Sequence, residues 1–151
     1  MTDEPQFGRA EAGVGYRDRP AAFGVVERDG RIACVRVTTR KQHSWIDLPG
    51  GALDPGETES AALVREFCEE TGLALAPGEL FARAAQRFRL SGGQAVNNRC
   101  AFFTAAVRSY DPGAKVEDDH ELVWIDPMEA LRAFRHDAHA WAVTAWMRRQ
   151  P

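Results

Sequence analysis

The chain of 151 residues carries 19 Lys and Arg against 22 Asp and Glu, a formal net charge of −3, and 44% of it is hydrophobic. That is enough for one domain with a sizeable core, without the broad basic surface that a nucleic-acid polymer requires. No apolar run of about 18 residues occurs, and the polar, acidic start MTDEPQFGRAEAGVG has no apolar signal core; neither a membrane span nor a secretory leader is expected, and the expected location is cytoplasmic.

In chain order, residues 1–18 read as an N-terminal arm with little apolar periodicity, and residues 19–151 as a single domain. Ala21 to Glu27 reads as a strand, Asp29-Gly30 is hairpin-turn chemistry, and Arg31 to Thr39 returns with apolar alternation. A polar loop from Arg40 to Ser44 leads to a short strand, Trp45 to Leu48, which runs into a Pro49-Gly50-Gly51 turn. Asp54-Pro55-Gly56 turns again ahead of a helix between Thr58 and Gly72. Beyond it, Pro77-Gly78 is expected to break the chain before a strand over Glu79 to Leu90. Ser91 to Asn97 reads as a loop and Asn98 to Ser109 as the return strand, with Ala101, Phe102, Phe103 and Val107 as core candidates. Asp111-Pro112-Gly113 is a turn, Leu122 to Ile125 a strand, and Pro127 to Arg135 and Ala138 to Arg149 are helices. Strands interleaved with three helices, and an early hairpin, argue for a mixed α/β sheet flanked by helices over a doubly wound parallel one. Cys34, Cys68 and Cys100 are odd in number and lack CxxC spacing, which favours buried small hydrophobes over a zinc site or disulfides.

The first helix concentrates the chemistry. Glu66, Glu69 and Glu70 stand at i, i+3 and i+4, one face at about 100° per residue, and Glu59 lies on the same arc. Like charges at that spacing repel by roughly 0.2–0.5 kcal/mol per pair, so the stripe calls for a positive partner. Oxygen-only ligands suit a hard cation, Mg²⁺ or Mn²⁺, better than zinc, and such a cation would hold an anionic substrate, most naturally a phosphate chain. Ala61, Val64, Phe67 and Cys68 form the opposite stripe, expected to face the core. Thr58 is placed to cap the N-terminus, Glu59 suits the helix dipole, and Gly72 suits a left-handed C-cap. Arg65 can pair with Glu69 or reach back to Glu57. An acidic amphipathic helix is most often only a solvated surface; the turn glycines, Glu57 and the Arg65-Glu66 pair decide here for a metal site.

Gly51, Glu57, Arg65, Glu66, Glu69, Glu70, Gly72 and Leu73 stand in register with G-x5-E-x7-R-E-U-x-E-E-x-G-U, where U is a bulky aliphatic residue, and on that ground the segment resembles the Nudix box. Phe67 stands where Leu, Ile or Val is usual, a change of packing and not of chemistry. The resemblance implies a Nudix-type α/β/α sandwich and metal-dependent hydrolysis of a nucleoside diphosphate linked to a group X. It implies Glu66, Glu69, Glu70 and the Gly50 carbonyl as metal ligands, with Glu66 also able to act as the base that orients water, Glu69 sharing those roles, and Arg65 orienting Glu57 and Glu69. Ala62, one turn before Glu66, would leave room for a phosphate chain running past Gly51. A further metal-binding acid is sought in Glu117-Asp118-Asp119-His120-Glu121, where Glu121 matches best by pattern.

For substrate binding, Arg36 and Arg99 are candidates for phosphate, His43 and His120 are possible phosphate donors, and Asn97, Asn98 and Trp124 are placed to meet a base. Trp45 could also stack a base, whereas Trp141 and Trp146 on the last helix suit core or homodimer packing. The markers that ADP-ribose, dinucleoside polyphosphate and NADH hydrolases carry after the box are absent, and the entry reads PGG where bacterial RNA pyrophosphohydrolases read PQGG. The resemblance therefore points to the small MutT-like group, with a small nucleotide as partner. A nucleoside triphosphate, oxidised or noncanonical forms included, comes first, and nucleotide sugars or other NDP-X compounds come next. A non-catalytic nucleotide-binding module is the alternative from another class, and the complete acid set speaks against it.

Overall fold

The computed structural model describes residues 4–151. The strands are β1 (Gln6–Phe7), β2 (Arg17–Val25), β3 (Glu27–Arg28), β4 (Arg31–Thr38), β5 (Ser44–Asp47), β6 (Gly50–Ala52), β7 (Leu73–Arg89), β8 (Ala95–Tyr110) and β9 (His120–Ile125), and the helices are α1 (Glu59–Thr71), α2 (Pro127–Ala133) and α3 (Asp137–Arg148). One sheet runs in the order β1-β7-β8-β2-β6; it is mixed, because β1/β7 and β2/β8 are parallel while β7/β8 and β2/β6 are antiparallel. A second sheet is built on β4, which pairs antiparallel with β3, β5 and β9. The expected mixed α/β sandwich is present, with its strands divided between two sheets.

Alternation along the strands divides the core into two layers. Ala21, Phe23 and Val25 of β2 join Cys100 and Phe102 of β8 under α2 and α3, whose Ala130, Ala138, Ala142, Val143 and Trp146 close that side. Ala22 and Val26 join Ala33, Ala101 and Phe103 under Ala62, Leu63 and Phe67 of α1. Among the described residues no helix is long and apolar enough to cross a membrane.

The structure corrects several expectations. Pro77-Gly78 does not break the chain; β7 runs through it with register irregularities between Pro77 and Leu80. The bulge is accommodated on β8, where the Thr104 hydroxyl accepts the Glu79 N–H at 2.9 Å. Pro49-Gly50-Gly51 is less a turn than the start of β6, with Gly50 opposite Phe23. Of the residues read as an N-terminal arm, 1–3 lie outside the described residues, Gln6–Phe7 adds an edge strand to β7, and β2 begins at Arg17. The core face of α1 is rotated from the one expected: Leu63, Phe67 and Ala62 are fully buried, Ala61 is exposed, and Val64 and Cys68 are half-buried. Cys34 and Cys100 are buried, as expected of small apolar residues. Trp146 is in the core and Trp141 packs on Phe7 at 6.2 Å.

Candidate active site

The site is built first by a short loop and a helix. Asp54 and Glu57 close the loop on each other: the Glu57 N–H donates to the Asp54 carbonyl at 3.0 Å, and the Asp54 N–H to Glu57 Oε1 at 2.9 Å. The Thr58 hydroxyl then accepts the Ala61 N–H at 3.1 Å, and Gly72, at φ 80°, ends α1.

Arg65 ties loop to helix. Its guanidinium donates to both oxygens of Glu57 at 2.8 and 2.9 Å, to the Ala52 carbonyl at 3.0 Å, to Glu66 Oε1 at 2.9 Å and to Glu69 Oε2 at 3.3 Å. These are charge-assisted bonds, and the fork on Glu57 fixes direction as well as distance. They hold the Glu57 carboxyl down at about 2 and the Arg65 guanidinium well above its usual range.

Glu66 and Glu70 reach from α1 to β6. The Glu66 carboxylate lies against Gly51 so closely that a Cβ there would sit 2.7 Å from its Cδ. Gly50 has φ +145°, and a Cβ on it would sit 2.1 Å from the Ala22 carbonyl oxygen, so this joint requires glycine. The Gly50 N–H donates to Glu70 Oε1 at 2.9 Å. Glu70 is 6% exposed, and burial pushes its carboxyl up to about 7 against the pull of His120 and that N–H. Burial also raises Glu66, more than Arg65 lowers it. Two carboxylates withdrawn from water on one face are costly unless a cation joins them.

The segment before β9 faces them. His120 Nε2 lies 3.2 Å from Glu70 Oε2, and its Nδ1 lies 2.7 Å from Asp119 Oδ1. Burial would lower its pKa, but the two carboxylates outweigh burial and raise it to about 9. The ligand atoms of Glu117, Asp119 and His120 lie within 4.8 Å of one another, and the Glu117 N–H donates to the Glu69 carbonyl at 3.1 Å. Glu66, Glu70, Glu117 and Asp119 all line a cleft of about 1150 Å³. A donor set of carboxylate oxygens, with Glu70 buried and Glu66 half-buried, fits Mg²⁺ or Mn²⁺.

The other end of the cleft is aromatic and basic. Arg135 pairs with Asp47 at 2.7 Å and lies 4.2 Å over Trp45 and 5.6 Å from Phe88. His139, in the floor, accepts the Leu48 N–H on Nδ1 at 3.1 Å and packs 4.5 Å from Phe23. Burial holds His139 well below its usual pKa and His136 down to about 3, so both are neutral.

The structure brings some of the sequence candidates together and separates others. Gly50, Gly51, Glu66, Glu70, His43, His120, Asn98 and Trp45 line the cleft. Glu69 is not among the residues that line it and is paired with Arg65. Glu121 does not reach it: strand alternation puts Glu121 on the other face from His120, where it pairs with Arg36 across the β4/β9 register at 3.2 Å, both side chains exposed. Trp124 lies under Arg28 at 4.5 Å and packs on the α1-side core. Ala62 is in that core at 0% exposure. Asn97 exchanges hydrogen bonds with Gln6, and Arg99 pairs with Glu4. Sequence reasoning missed Arg19, Asp47, Arg135, His136 and His139, which carry no local pattern. It named the segment holding Glu117 and Asp119 but preferred Glu121, although the His120-Glu121 alternation already required those two to diverge.

A family model described as the NUDIX domain matches residues 16–147. The chain is 29% identical over 110 residues to the CTP pyrophosphohydrolase of Escherichia coli strain K12, covering 72% of this chain and 76% of that protein. It is 35% identical over 128 residues to the RNA pyrophosphohydrolase of Erythrobacter litoralis, covering 74% and 77%. Its fold matches that of a NUDIX hydrolase from Nitrosomonas europaea with a TM-score of 0.75 at 23% identity, covering 87% and 90%.

Proposed function

We propose, because this chain belongs to the NUDIX family of hydrolases, that it cleaves the phosphoric anhydride of a nucleoside triphosphate to a nucleoside monophosphate and pyrophosphate. The observation that carries this reading is the convergence of Glu66 and Glu70, both withdrawn from water, on the Gly50-Gly51 backbone inside a cleft large enough for a mononucleotide. Similarity to a CTP pyrophosphohydrolase supports the nucleotide class.

Glu66, Glu70, Glu117 and Asp119 are the residues that would hold the Mg²⁺ or Mn²⁺ on which hydrolases of this family generally depend. Bound there, the cation neutralises charge on the phosphoryl oxygens and acidifies water. The chain supplies the rest. Glu66, its direction fixed by Arg65 and by the close approach of Gly51, orients the attacking water and takes its proton. Arg65 and Glu57 are positioning residues; they hold the Glu66 carboxylate in place before substrate arrives. His120, bridging Glu70 on one ring nitrogen and Asp119 on the other, is a positioning residue that holds these two carboxylates toward the cleft. The Trp45, Phe88 and Arg135 end of the cleft receives the base.

A turnover screen tests the reading. Wild-type protein with Mg²⁺ or Mn²⁺ is offered nucleoside triphosphates, oxidised forms among them, nucleotide sugars, ADP-ribose, a dinucleoside polyphosphate and a 5′-triphosphorylated RNA, and the products are identified. Pyrophosphate and a monophosphate from a mononucleotide are expected. If ADP-ribose, a dinucleoside polyphosphate or the RNA has a kcat/KM about tenfold above every triphosphate, a difference of ~1.4 kcal/mol in transition-state binding, the substrate class is wrong and the hydrolase stands.

A further inference from the structure

The cleft is bipolar: its acids gather at the α1 end, and cations surround the rest. Most of those cations are already matched. Arg135 is fixed on Asp47, His120 on Glu70 and Asp119, and Arg89 on Glu11. The loop between β4 and β5 adds Arg40 and Lys41, exposed and solvated.

Arg19 differs from all of these. It lies on β2 and lines the cleft. Burial lowers its pKa while the Glu66 carboxylate pulls it back up, so the guanidinium is partly desolvated and within electrostatic reach of the acids. Yet among the described residues its only hydrogen bond is from Nη1 to a neutral acceptor, Asn98 Oδ1, at 3.0 Å. Asn98 stands directly opposite in the β2/β8 register and is 3% exposed. A buried amide thus aims a guanidinium without neutralising it, and the remaining donors of that guanidinium have no protein acceptor. A cation drawn partly out of water without an anion is unfavourable by itself; a phosphate chain placed between it and Glu66 would complete it, and a guanidinium fork matches two phosphate oxygens.

We propose that Arg19, aimed by Asn98, grips the phosphate chain of the substrate from the β2 side of the cleft. The inference rests on the cleft being a nucleotide pyrophosphohydrolase site, and it moves the phosphate-binding role from Arg36, which is engaged with Glu121, to Arg19. Arg19 supplies binding more than chemistry, because its charge does not change along the reaction.

The test uses two readouts on the whole chain: kinetics with the nucleoside triphosphate that wild type turns over fastest, and calorimetric binding of inorganic pyrophosphate with Mg²⁺. Arg19→Gln should raise KM and the pyrophosphate Kd by about tenfold or more, the scale of one charge-assisted contact, with kcat changed less than about threefold. Arg19→Lys should recover part of the loss, since it keeps the charge but not the fork. Asn98→Asp should weaken pyrophosphate binding with Arg19 intact, by giving the guanidinium a permanent anion. Arg99→Gln, on the exposed neighbour paired with Glu4, should bind as wild type does. Pyrophosphate binding by folded Arg19→Gln within about twofold of wild type overturns the proposal, as does an equal loss in Arg99→Gln. Should Arg19→Gln fail to fold, Arg19→Lys and Asn98→Asp decide it by the same limits. A wild type that turns over no nucleotide sinks the functional reading separately, and the pyrophosphate measurement still reports on Arg19.

Discussion

The cleft wall made by β6, the loop after it and α1 is continuous in sequence, whereas the facing wall gathers Arg19, Asp47, Phe88, Glu117 to His120, and Arg135-His136 from five separate stretches of chain. In the first wall, Arg65 satisfies three carboxylates and a carbonyl within a single helical turn and its loop. In the second, each contact depends on strand register and on where α2 and α3 dock. Glu66 and Glu70, with the Arg65 that orients Glu66, sit on the locally determined wall. The other two acids, Glu117 and Asp119, and the groups that would meet the base sit on the wall that tertiary packing assembles.

The sharpest way to break this division is to remove an acid. Glu66→Gln and Glu70→Gln keep size and lose charge, and each should cut kcat by at least about a hundredfold with the fold retained. Near wild-type turnover in both would place the chemistry on the other wall. Gly51→Ala comes next: its new Cβ would meet the Glu66 carboxylate at 2.7 Å. It should lower kcat by about tenfold, the usual cost of a displaced catalytic group being at least that, with little change in melting temperature. Arg65→Ala should affect both readouts, because Glu57, Glu66 and Glu69 lose their shared partner; a loss of about 1–3 kcal/mol in chemical denaturation is expected for partly exposed pairs.

The facing wall is probed by pH. His136 and His139 are neutral in the fold, with His136 down at about 3, and near 6.5 when unfolded. The unfolded chain therefore binds more protons below pH 6.5, and stability falls as pH drops from 6.5 toward 3. Each group contributes up to about 1.4 kcal/mol per pH unit. Glu70, raised to about 7, acts in the opposite sense between 7 and the ordinary carboxylate range, so the comparison is made between variants. His136→Phe should flatten the stability profile between about pH 5 and 6 by about one such slope; an unchanged profile would mean that His136 is charged in the fold. The smallest effect is expected from Glu121→Gln: it and its partner Arg36 are both exposed, so stability should shift by less than about 1 kcal/mol and turnover hardly at all. A large loss of turnover would return Glu121 to the site.

How much was legible in the sequence follows the same division. The spacing of Glu66, Glu69 and Glu70, the cap at Thr58 and the glycine at Gly72 are local facts, and the structure has the helix, its caps and the acids where periodicity put them. The rotation of the apolar face was not legible, because Ala61, Ala62, Leu63, Val64, Phe67 and Cys68 make a broad apolar arc and only docking on the sheet selects Ala62, Leu63 and Phe67 from it. Glu121 was misplaced because a pattern names a segment and not a face; pairing with β4 decides the face. Arg19 stood at the boundary between arm and domain, outside any apolar pattern, until β8 supplied Asn98 beside it.

The strand that delivers the chain to Gly50 is also bolted to the C-terminal helices. The Ile46 carbonyl accepts the Arg135 N–H at 3.0 Å, Asp47 holds the Arg135 guanidinium, and the Leu48 N–H donates to His139 on α3. Three successive residues are thereby fastened to the last sixth of the chain, just upstream of the backbone that Glu66 and Glu70 touch. Local opening of α3 takes away the acceptor of the Leu48 N–H and loosens the strand that leads to the acidic wall. Amide exchange at Leu48 and Gly50 should keep pace with exchange in α3, so that fraying at the distant end of the molecule acts as a reversible off-state for the site.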